Sequence, residues 1–127
     1  MKDIKVLISA AGYFGGNTLC ENLRKNGERK IEIIGTDMNL NCAAKFYCDK
    51  FYPTSPGVDD RNYIATLLNI CKIERPDIVL PASSCEIYPL ALHRGEFERL
   101  GVKIMVSNER ILDIALDKFE TYHRLQG

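Results

Sequence analysis

Short apolar runs alternate with amphipathic segments along this chain, and this alternation restricts the folds that it can adopt. Lys5–Ser9, Ile31–Thr36, Asp77–Leu80 and Val102–Val106 are typical of strands that are apolar throughout, and Lys50–Pro53 is typical of a short edge strand. Strands of this kind form parallel sheets that are covered by helices on both faces. The sequence therefore predicts an α/β, three-layer Rossmann-like domain with a parallel sheet.

Helical spacing of apolar residues fills the intervals between these strands. It predicts helices over Gly16–Lys25, Asp60–Glu74, Glu86–Arg99, Glu109–Leu116 and Asp117–Leu125. We expect Pro89 in the first turn of the third helix, where a missing N–H costs little. Ser107 or Asn108 is a candidate cap of the fourth helix, and Asp117 with Glu120 fits a capping box at the last.

Composition excludes several classes of function. The 127 residues suffice for one domain, and 46% of them are hydrophobic and 27% charged, as in globular proteins. The 17 basic and 17 acidic residues cancel, which argues against a nucleic-acid-binding protein. No apolar run is long enough to cross a bilayer, and the N-terminus does not resemble a secretion signal. Five cysteines without a CxxC pair predict free, mostly buried thiols in a cytoplasmic protein, and no zinc site.

A glycine-rich turn, Gly12-Tyr-Phe-Gly15-Gly16, directly follows the first predicted strand. Such a turn brings backbone N–H groups to a helix start, which suits an anion. Asp37 ends the second predicted strand, where dinucleotide-binding domains carry their ribose-binding acid. An NAD(P)-binding domain of an epimerase or dehydrogenase is therefore one interpretation. The glycine pattern is incomplete, which favours the other interpretation, a tight strand-to-helix turn without a cofactor.

The loop Pro81-Ala-Ser-Ser-Cys-Glu86 places hydroxyl groups, a thiol and a carboxylate after another buried strand. Ser83, Ser84 and Glu86 are suited both to capping the next helix and to binding a ligand at the edge of the sheet. Cys85 is a weaker candidate for a nucleophile, because no histidine lies near it in the sequence to lower its pKa.

Lys118 follows Asp117 at the start of the last predicted helix. A lysine in the first turn of a helix slightly opposes the helix dipole, because the N-terminal end is the positive one. This small misfit hints at a functional role for Lys118.

The order of these features resembles the N-terminal, pre-ATP-grasp domain of ATP-grasp ligases, in the branch similar to the carbamoyl-phosphate synthase large subunit. The resemblance rests on the glycine turn, the strand end at Asp37, and the runs Asp59–Leu68, Asp77–Glu86, Gly101–Ser107 and Asp117-Lys118. It implies a Rossmann-like domain over residues 1–116. Residues 117–127 would begin the connection to an ATP-grasp domain that this sequence does not contain.

The resemblance implies that the parent protein is an ATP-dependent carboxylate–amine or carboxylate–ammonia ligase that uses ATP and Mg²⁺. The pocket for a small carboxylate or amine substrate would be shaped by Gly12, Gly15, Gly16, Asp37, Ser83, Ser84 and Glu86. Lys118 would reach toward the ATP phosphates. Because the remaining ATP and magnesium ligands belong to the downstream domain, we expect this segment alone not to catalyse ligation.

A non-catalytic Rossmann-like interaction module is the remaining alternative. Phe119, Tyr122 and Leu125 lie at helical spacing in the last predicted helix, which has little to pack against. If they are exposed, they offer an apolar surface for self-association as a homodimer.

Overall fold

A parallel sheet forms the centre of the molecule in a computed structural model, which describes residues 2–56 and 60–127. Within these residues the sheet has five strands in the order β3-β2-β1-β4-β5, and all neighbouring strands are parallel. The strands are β1 Ile4–Ser9, β2 Ile31–Asp37, β3 Lys50–Pro53, β4 Ile78–Pro81 and β5 Lys103–Ile104. The predicted parallel sheet is confirmed, including the edge position of Lys50–Pro53.

Helices cover both faces of this sheet. They are α1 Gly16–Arg24, a 3₁₀ segment Ala43–Tyr47, α2 Asp60–Glu74, α3 Ser84–Leu92, α4 Arg94–Arg99, α5 Glu109–Leu116 and α6 Lys118–Leu125. The helix α1 and the 3₁₀ segment pack on one face, whereas α2, α3 and α4 pack on the other. The predicted three-layer α/β architecture is therefore confirmed. Asp59, the first residue of the predicted motif Asp59–Leu68, lies outside the described residues.

The side chains of β1 show why its sequence is apolar throughout. Leu7 belongs to the hydrophobic cluster beneath α2, together with Ile34 of β2. Val6 and Ile8 belong to the cluster beneath α1. Because successive residues of a strand point to opposite faces, a strand buried on both faces needs apolar residues at almost every position.

The predicted helix Glu86–Arg99 is two helices in the structure, and this prediction was wrong in both its start and its continuity. The first helix begins two residues earlier, because Ser83 Oγ accepts a hydrogen bond from the Cys85 N–H and caps it. Pro89 consequently lies inside α3 instead of in its first turn. His93 leaves helical geometry at the junction, and the separate helix α4 buries Phe97 in the core.

The predicted strand Val102–Val106 pairs over only two residues, because its backbone turns back on itself. The Met105 N–H still donates to the Val79 carbonyl at 3.0 Å, but the Val106 N–H donates to Ile104, a local bond that ends the ladder. The Arg94 guanidinium donates to the Ile104 carbonyl at 3.4 Å and holds this end of the chain.

Two predicted helix caps are confirmed. Asn108 Oδ1 accepts from the Ile111 N–H at the start of α5, and Asp117 Oδ1 accepts from the Phe119 and Glu120 N–H groups at the start of α6. In residues 2–56 and 60–127, no helix combines the length and the apolar character needed to span a membrane.

The cysteines form no disulfide, and all five lie within the described ranges. The expectation that they are mostly buried holds for Cys20 and Cys71 alone. Cys42 and Cys48 are half-buried, and Cys85 is exposed.

Candidate functional site

A cavity of about 380 Å³ opens at the carboxyl ends of β1 to β4. Its wall consists of Ala10, Gly12 and Tyr13 after β1, Asp37–Asn39 after β2, Thr54–Pro56 after β3, Tyr63 of α2, and Ser83, Cys85 and Glu86 after β4. The chain runs outward from β1 through β2 to β3, then crosses to β4 on the other side. The loops after β1 and β4 therefore lead away from each other and leave a crevice between them. Parallel α/β sheets bind ligands at such a point, where the strand order reverses.

The glycines after β1 shape the entry into α1. Gly15 has φ 92°, a left-handed conformation that glycine adopts without strain. A Cβ at Gly16 would lie 1.8 Å from the Ala11 carbonyl oxygen, so a side chain has no room there. Ala10 itself has φ 50°, which concentrates the turn directly after the strand. These features bring the loop sharply across the end of β1.

Asp37 fixes the loop after β1 to the end of β2. Its Oδ2 atom accepts a hydrogen bond of 2.9 Å from the Gly12 N–H, and its Oδ1 atom accepts one of 2.8 Å from the Asn39 N–H. A Cβ at Gly12 would come within 2.9 Å of the Asp37 carboxylate, which explains the glycine. The carboxylate is held by backbone groups of two loops, and its residue lines the cavity.

Glu86 is the second acid of the cavity, and it is buried with 3% of its surface exposed. The Ser9 hydroxyl donates to its Oε2 atom at 3.2 Å. Burial raises the pKa of Glu86 to about 8, and the negative charge of Asp37 raises it further, while the bond from Ser9 acts in the opposite direction. Glu86 therefore holds a proton near neutral pH and releases it in mildly alkaline solution.

The charged side chains of the cavity wall are acidic. Asp37 and Glu86 are the charged side chains among the described residues that line it, and no lysine, arginine or histidine accompanies them there. Two carboxyl groups without a cation suit a ligand that carries an amine or ammonium group. They do not suit the triphosphate of ATP, which needs cationic partners.

The structure brings together four of the residues predicted for the substrate pocket, namely Gly12, Asp37, Ser83 and Glu86. The other predicted site residues do not line the cavity. Gly15 and Gly16 form the start of α1, Ser84 is exposed in the first turn of α3, and Lys118 is exposed at the start of α6. Their predicted roles in binding remain predictions.

Cys85 lines the cavity and is exposed. Neither histidine of the chain belongs to the cavity wall, so no imidazole stands there as a base for this thiol. The arrangement lends no support to Cys85 as a nucleophile.

Sequence reasoning missed the parts of the wall that come from β3 and α2. Tyr63 fits the apolar face of α2 and is buried, with 1% of its surface exposed, yet it also lines the cavity. Ser55 lies between Pro53 and Pro56, which ended the predicted edge strand. The available signal was the pair of polar residues, Thr54 and Ser55, that follows a strand of a parallel sheet.

Three amide groups of the glycine turn are used within the protein. The Gly12 N–H donates to Asp37, the Tyr13 N–H to the Ala10 carbonyl at 2.9 Å, and the Gly16 N–H to the Tyr13 carbonyl at 3.0 Å. A dinucleotide pyrophosphate would need such groups free at the helix start. The NAD(P)-binding alternative is therefore not favoured.

Comparison with protein families identifies the type of domain. The family model described as "PylC-like, N-terminal domain" matches residues 6–105, which include all five strands of the described sheet except the first two residues of β1. This chain belongs to the PylC-like N-terminal domain family. The match includes Gly12, Asp37 and Glu86 of the cavity and ends before Lys118.

Solved structures share the fold of this PylC-like domain. A structure of glycinamide-RNase-transformylase T from Mycobacterium tuberculosis matches 93% of the chain, with a TM-score of 0.65 and 15% identity. The biotin carboxylase domain of a single-chain bacterial carboxylase matches 97%, with a TM-score of 0.64 and 17% identity. The biotin carboxylase subunit of a pyruvate carboxylase matches 92%, with a TM-score of 0.62 and 15% identity. Together with the family, these matches support the predicted pre-ATP-grasp type of N-terminal domain.

The PylC-like domain corresponds to a minor part of each of these proteins. It covers 33% of the transformylase chain, 28% of the single-chain carboxylase domain and 26% of the biotin carboxylase subunit. At identities of 15–17%, these similarities concern the fold.

Proposed function

We propose that this domain is the substrate-side N-terminal domain of an ATP-dependent carboxylate–amine or carboxylate–ammonia ligase, related to the carbamoyl-phosphate synthase type. Its cavity binds the amine substrate. The observation that carries the proposal is the pairing of Asp37 and Glu86 in one cavity wall without a cation. The domain family and the carboxylases among the structures that share its fold support the ligase context.

The two acids divide the work of binding an amine. Asp37 has its position fixed by the Gly12 and Asn39 N–H groups, and its remaining lone pairs can accept from an ammonium group. Glu86, whose pKa is raised to about 8 by burial, can take up or release a proton near physiological pH. An amine that must lose a proton before it acts as a nucleophile is suited to such a neighbour.

ATP and Mg²⁺ belong to a different part of the proposed enzyme. The cavity residues do not fit a triphosphate, because the described wall is acidic. In the described residues, no group of three or more His, Cys, Asp or Glu is arranged to hold a metal ion. Lys118 remains the proposed contribution of this chain to the ATP phosphates, from its exposed position outside the cavity.

The downstream ATP-grasp domain of the same protein is the proposed partner. Phe119, Tyr122 and Leu125 of α6 are exposed by 68%, 58% and 82%, so this helix presents an apolar surface. Contact with a following domain would remove that surface from water. A homodimer through the same face stays a prediction, which sedimentation of the chain with and without residues 117–127 can test.

Ligand titration tests the proposed substrate side. We expect n-propylamine to shift amide NMR signals of residues after β1, β2 and β4 in a saturable way at pH 8.5, whereas n-propanol and propionate of the same length do not. Glu86→Gln and Asp37→Asn should each weaken the amine at least about 10-fold, because each removes a charge from the site. Glu98→Gln, at an exposed acid outside the cavity, is the matched control. Equal binding of amine and alcohol would refute the amine site.

A further inference from the structure

Three of the five cysteines meet on the face of the sheet that α1 covers. Cys20 of α1 is fully buried in the hydrophobic cluster on this face, and Cys42 and Cys48 pack against that cluster. Cys42 and Cys48 are the residues directly before and after the 3₁₀ segment. The thiol groups of Cys20 and Cys48 interact directly with each other. The fold therefore brings together thiols from two separate elements.

A glycine in the buried strand β2 makes room for one of these sulfur atoms. A Cβ at Gly35 would lie 2.5 Å from Cys48 Sγ, and it would also come within 2.8 Å of the Phe51 ring. The backbone of Gly35 is not left-handed, so the need for glycine comes from these neighbours. Ile33, two residues earlier in the strand, belongs to the cluster that contains Cys20, so both positions face α1. Cys48 Sγ is therefore held against the sheet on the side where Cys20 lies.

Arg24 lies one turn after Cys20 in α1 and binds on both sides of Cys48. Its guanidinium group donates to the Tyr47 carbonyl at 2.9 and 3.2 Å and pairs with the Asp49 carboxylate at 3.1 Å. The hydrogen bond from the Cys48 thiol and the charge of Arg24 outweigh burial and hold the pKa of Cys20 below its ordinary value. The pair of thiols therefore releases its first proton more readily than an isolated cysteine does.

Neither metal binding nor apolar packing accounts for this arrangement. Among the described residues, no three His, Cys, Asp or Glu side chains are placed to hold a metal ion. Apolar packing gives no reason for a cation beside two thiols. Cys71 is the contrasting buried cysteine, because burial alone raises its pKa to about 12. Two adjacent thiols that share a proton are instead suited to forming a disulfide, since one can attack the other as a thiolate.

We propose that Cys20 and Cys48 are a redox-sensitive pair that hydrogen peroxide converts into a reversible disulfide, with Arg24 supporting the thiolate. Cys48 is half-buried and Cys20 fully buried, so the peroxide reacts at Cys48 first. With the remaining proton on Cys20, the Cys48 thiolate attacks a peroxide oxygen and the O–O bond breaks. This step leaves a sulfenic acid and a hydroxide, which takes up the proton that the pair had released.

The second step closes the disulfide. The Cys20 sulfur attacks the Cys48 sulfur, the S–O bond breaks, and the departing hydroxide takes the Cys20 proton. Two thiols and one peroxide thus give one disulfide and two water molecules. The inference is independent of the amine site, since no ligand of the cavity takes part.

Peptide mapping of the 127-residue chain tests the proposal without any variant. Trypsin separates all five cysteines, because lysine or arginine lies between each cysteine and the next. The reduced protein is treated with hydrogen peroxide, free thiols are blocked with N-ethylmaleimide, and the digest is analysed by mass spectrometry. We expect the peptide of residues 6–24 joined to that of residues 46–50, and we expect dithiothreitol to separate them. In concentrated guanidinium the same treatment should give mixed pairings.

Two cation variants test the role of Arg24. Arg24→Gln should slow disulfide formation at pH 7 about 3- to 10-fold, because less thiolate is present. Lys25→Gln is the matched control, since the adjacent Lys25 side chain is 78% exposed and pairs with Glu21 at 3.9 Å. It should react at the wild-type rate. Cys85→Ser, at the exposed cysteine of the cavity, should also leave the rate unchanged.

Several outcomes would overturn the inference. Mixed pairings in the native protein, or a disulfide that joins Cys42 or Cys85 to another cysteine, would show that the fold does not select Cys20 and Cys48. Oxidation of Cys48 to a sulfinic acid without a bond to Cys20 would have the same meaning. Equal rates in Arg24→Gln and Lys25→Gln would refute the role of Arg24.

Discussion

The Ser9 hydroxyl donates a hydrogen bond to the Glu86 carboxyl group across 3.2 Å, joining the last residue of β1 to the first turn of α3. Both residues are buried. This bond lies between the adjacent strands β1 and β4, where the order of the strands in the sheet reverses. This bond and a backbone hydrogen bond from Ser83 favour the ionised carboxylate. The loss of water outweighs both, so burial raises the pKa of Glu86 to about 8.

Replacement of Glu86 by glutamine is expected to stabilise the protein in alkaline solution. The folded state binds the Glu86 proton more tightly than the unfolded state, so wild-type stability falls as pH rises from the ordinary value of 4.5 to about 8. The glutamine variant does not lose stability in this way, because its side chain has no proton to release in this pH range. Urea denaturation should show it to be more stable by about 2–4 kcal/mol at pH 8.5 and nearly equal at pH 4. A variant that is less stable at every pH would contradict the raised pKa.

Amine binding is expected to strengthen as Glu86 ionises. A primary alkylamine stays protonated to about pH 9, because its pKa resembles that of lysine. The affinity for n-propylamine should therefore rise about 10-fold between pH 6.5 and 9, as the second carboxylate appears in the cavity. Glu86→Gln should bind with a flat pH profile over this range. Calorimetric titration at four pH values measures both, and a flat wild-type profile would argue against Glu86 as the titrating group.

Alanine at Gly16 is expected to be severely destabilising. Its Cβ would lie 1.8 Å from the Ala11 carbonyl oxygen, a backbone atom that moves only if the whole turn moves. We expect a loss of about 3 kcal/mol or more in the free energy of unfolding. Gly95→Ala is the matched control, because a Cβ there meets nothing within 4 Å and alanine favours α4. That variant should gain about 0.5–1 kcal/mol. Similar effects at the two sites would contradict the geometry of the turn.

Alanine at Gly12 is expected to damage the site more than the fold. The added Cβ would come within 2.9 Å of the Asp37 carboxylate and 2.8 Å of Cys42 Cβ, so the carboxylate has to move. The affinity for n-propylamine should drop about 10-fold, while far-ultraviolet circular dichroism stays the same. Gly95→Ala, whose Cβ would meet nothing within 4 Å and whose backbone is not left-handed, controls for the loss of a glycine. Unchanged amine binding in Gly12→Ala would show that the position of Asp37 is unimportant.

Glu74 is expected to make the fold sensitive to acid. It is 5% exposed, and burial alone would raise its pKa. Hydrogen bonds from Lys50 at 2.8 Å and from Tyr52 outweigh burial and hold the pKa of Glu74 below its ordinary value. A depressed pKa contributes stability that is present above the ordinary value and lost as pH falls through the folded one.

Thermal denaturation between pH 2.5 and 7 measures this contribution. Glu74→Gln should lower Tm at pH 7 by several degrees and flatten the acid limb of the profile, because the ionised partner of Lys50 is gone. Glu32→Gln is the matched control, since the Glu32 side chain is 38% exposed, against 4% for Glu74, and its ion pair with Lys5 spans 3.7 Å. An unchanged acid limb in Glu74→Gln would assign the acid sensitivity to other carboxylates.

Local signals in the sequence were sufficient to predict the architecture of the domain. The run Lys5–Ser9 is apolar at nearly every position because both faces of β1 are buried, and that pattern is visible without a structure. The caps Asn108 and Asp117 act on N–H groups two or three residues away, so they too can be recognised locally. The break at His93 was not predicted, because it has no signal in the local sequence. The separate helix α4 buries Phe97 in the core, and such packing depends on the tertiary structure.

The sequence by itself determined a parallel α/β domain and the loops that follow its strands, since apolar periodicity and cap residues act over a few positions. It singled out Asp37 and Glu86 as separate candidates. Only the tertiary structure decided that they share one cavity and that the side chains of Tyr63 and Ser55 complete its wall. Strand order sets which loops meet, and burial sets the pKa of Glu86; both depend on contacts between residues far apart in the chain.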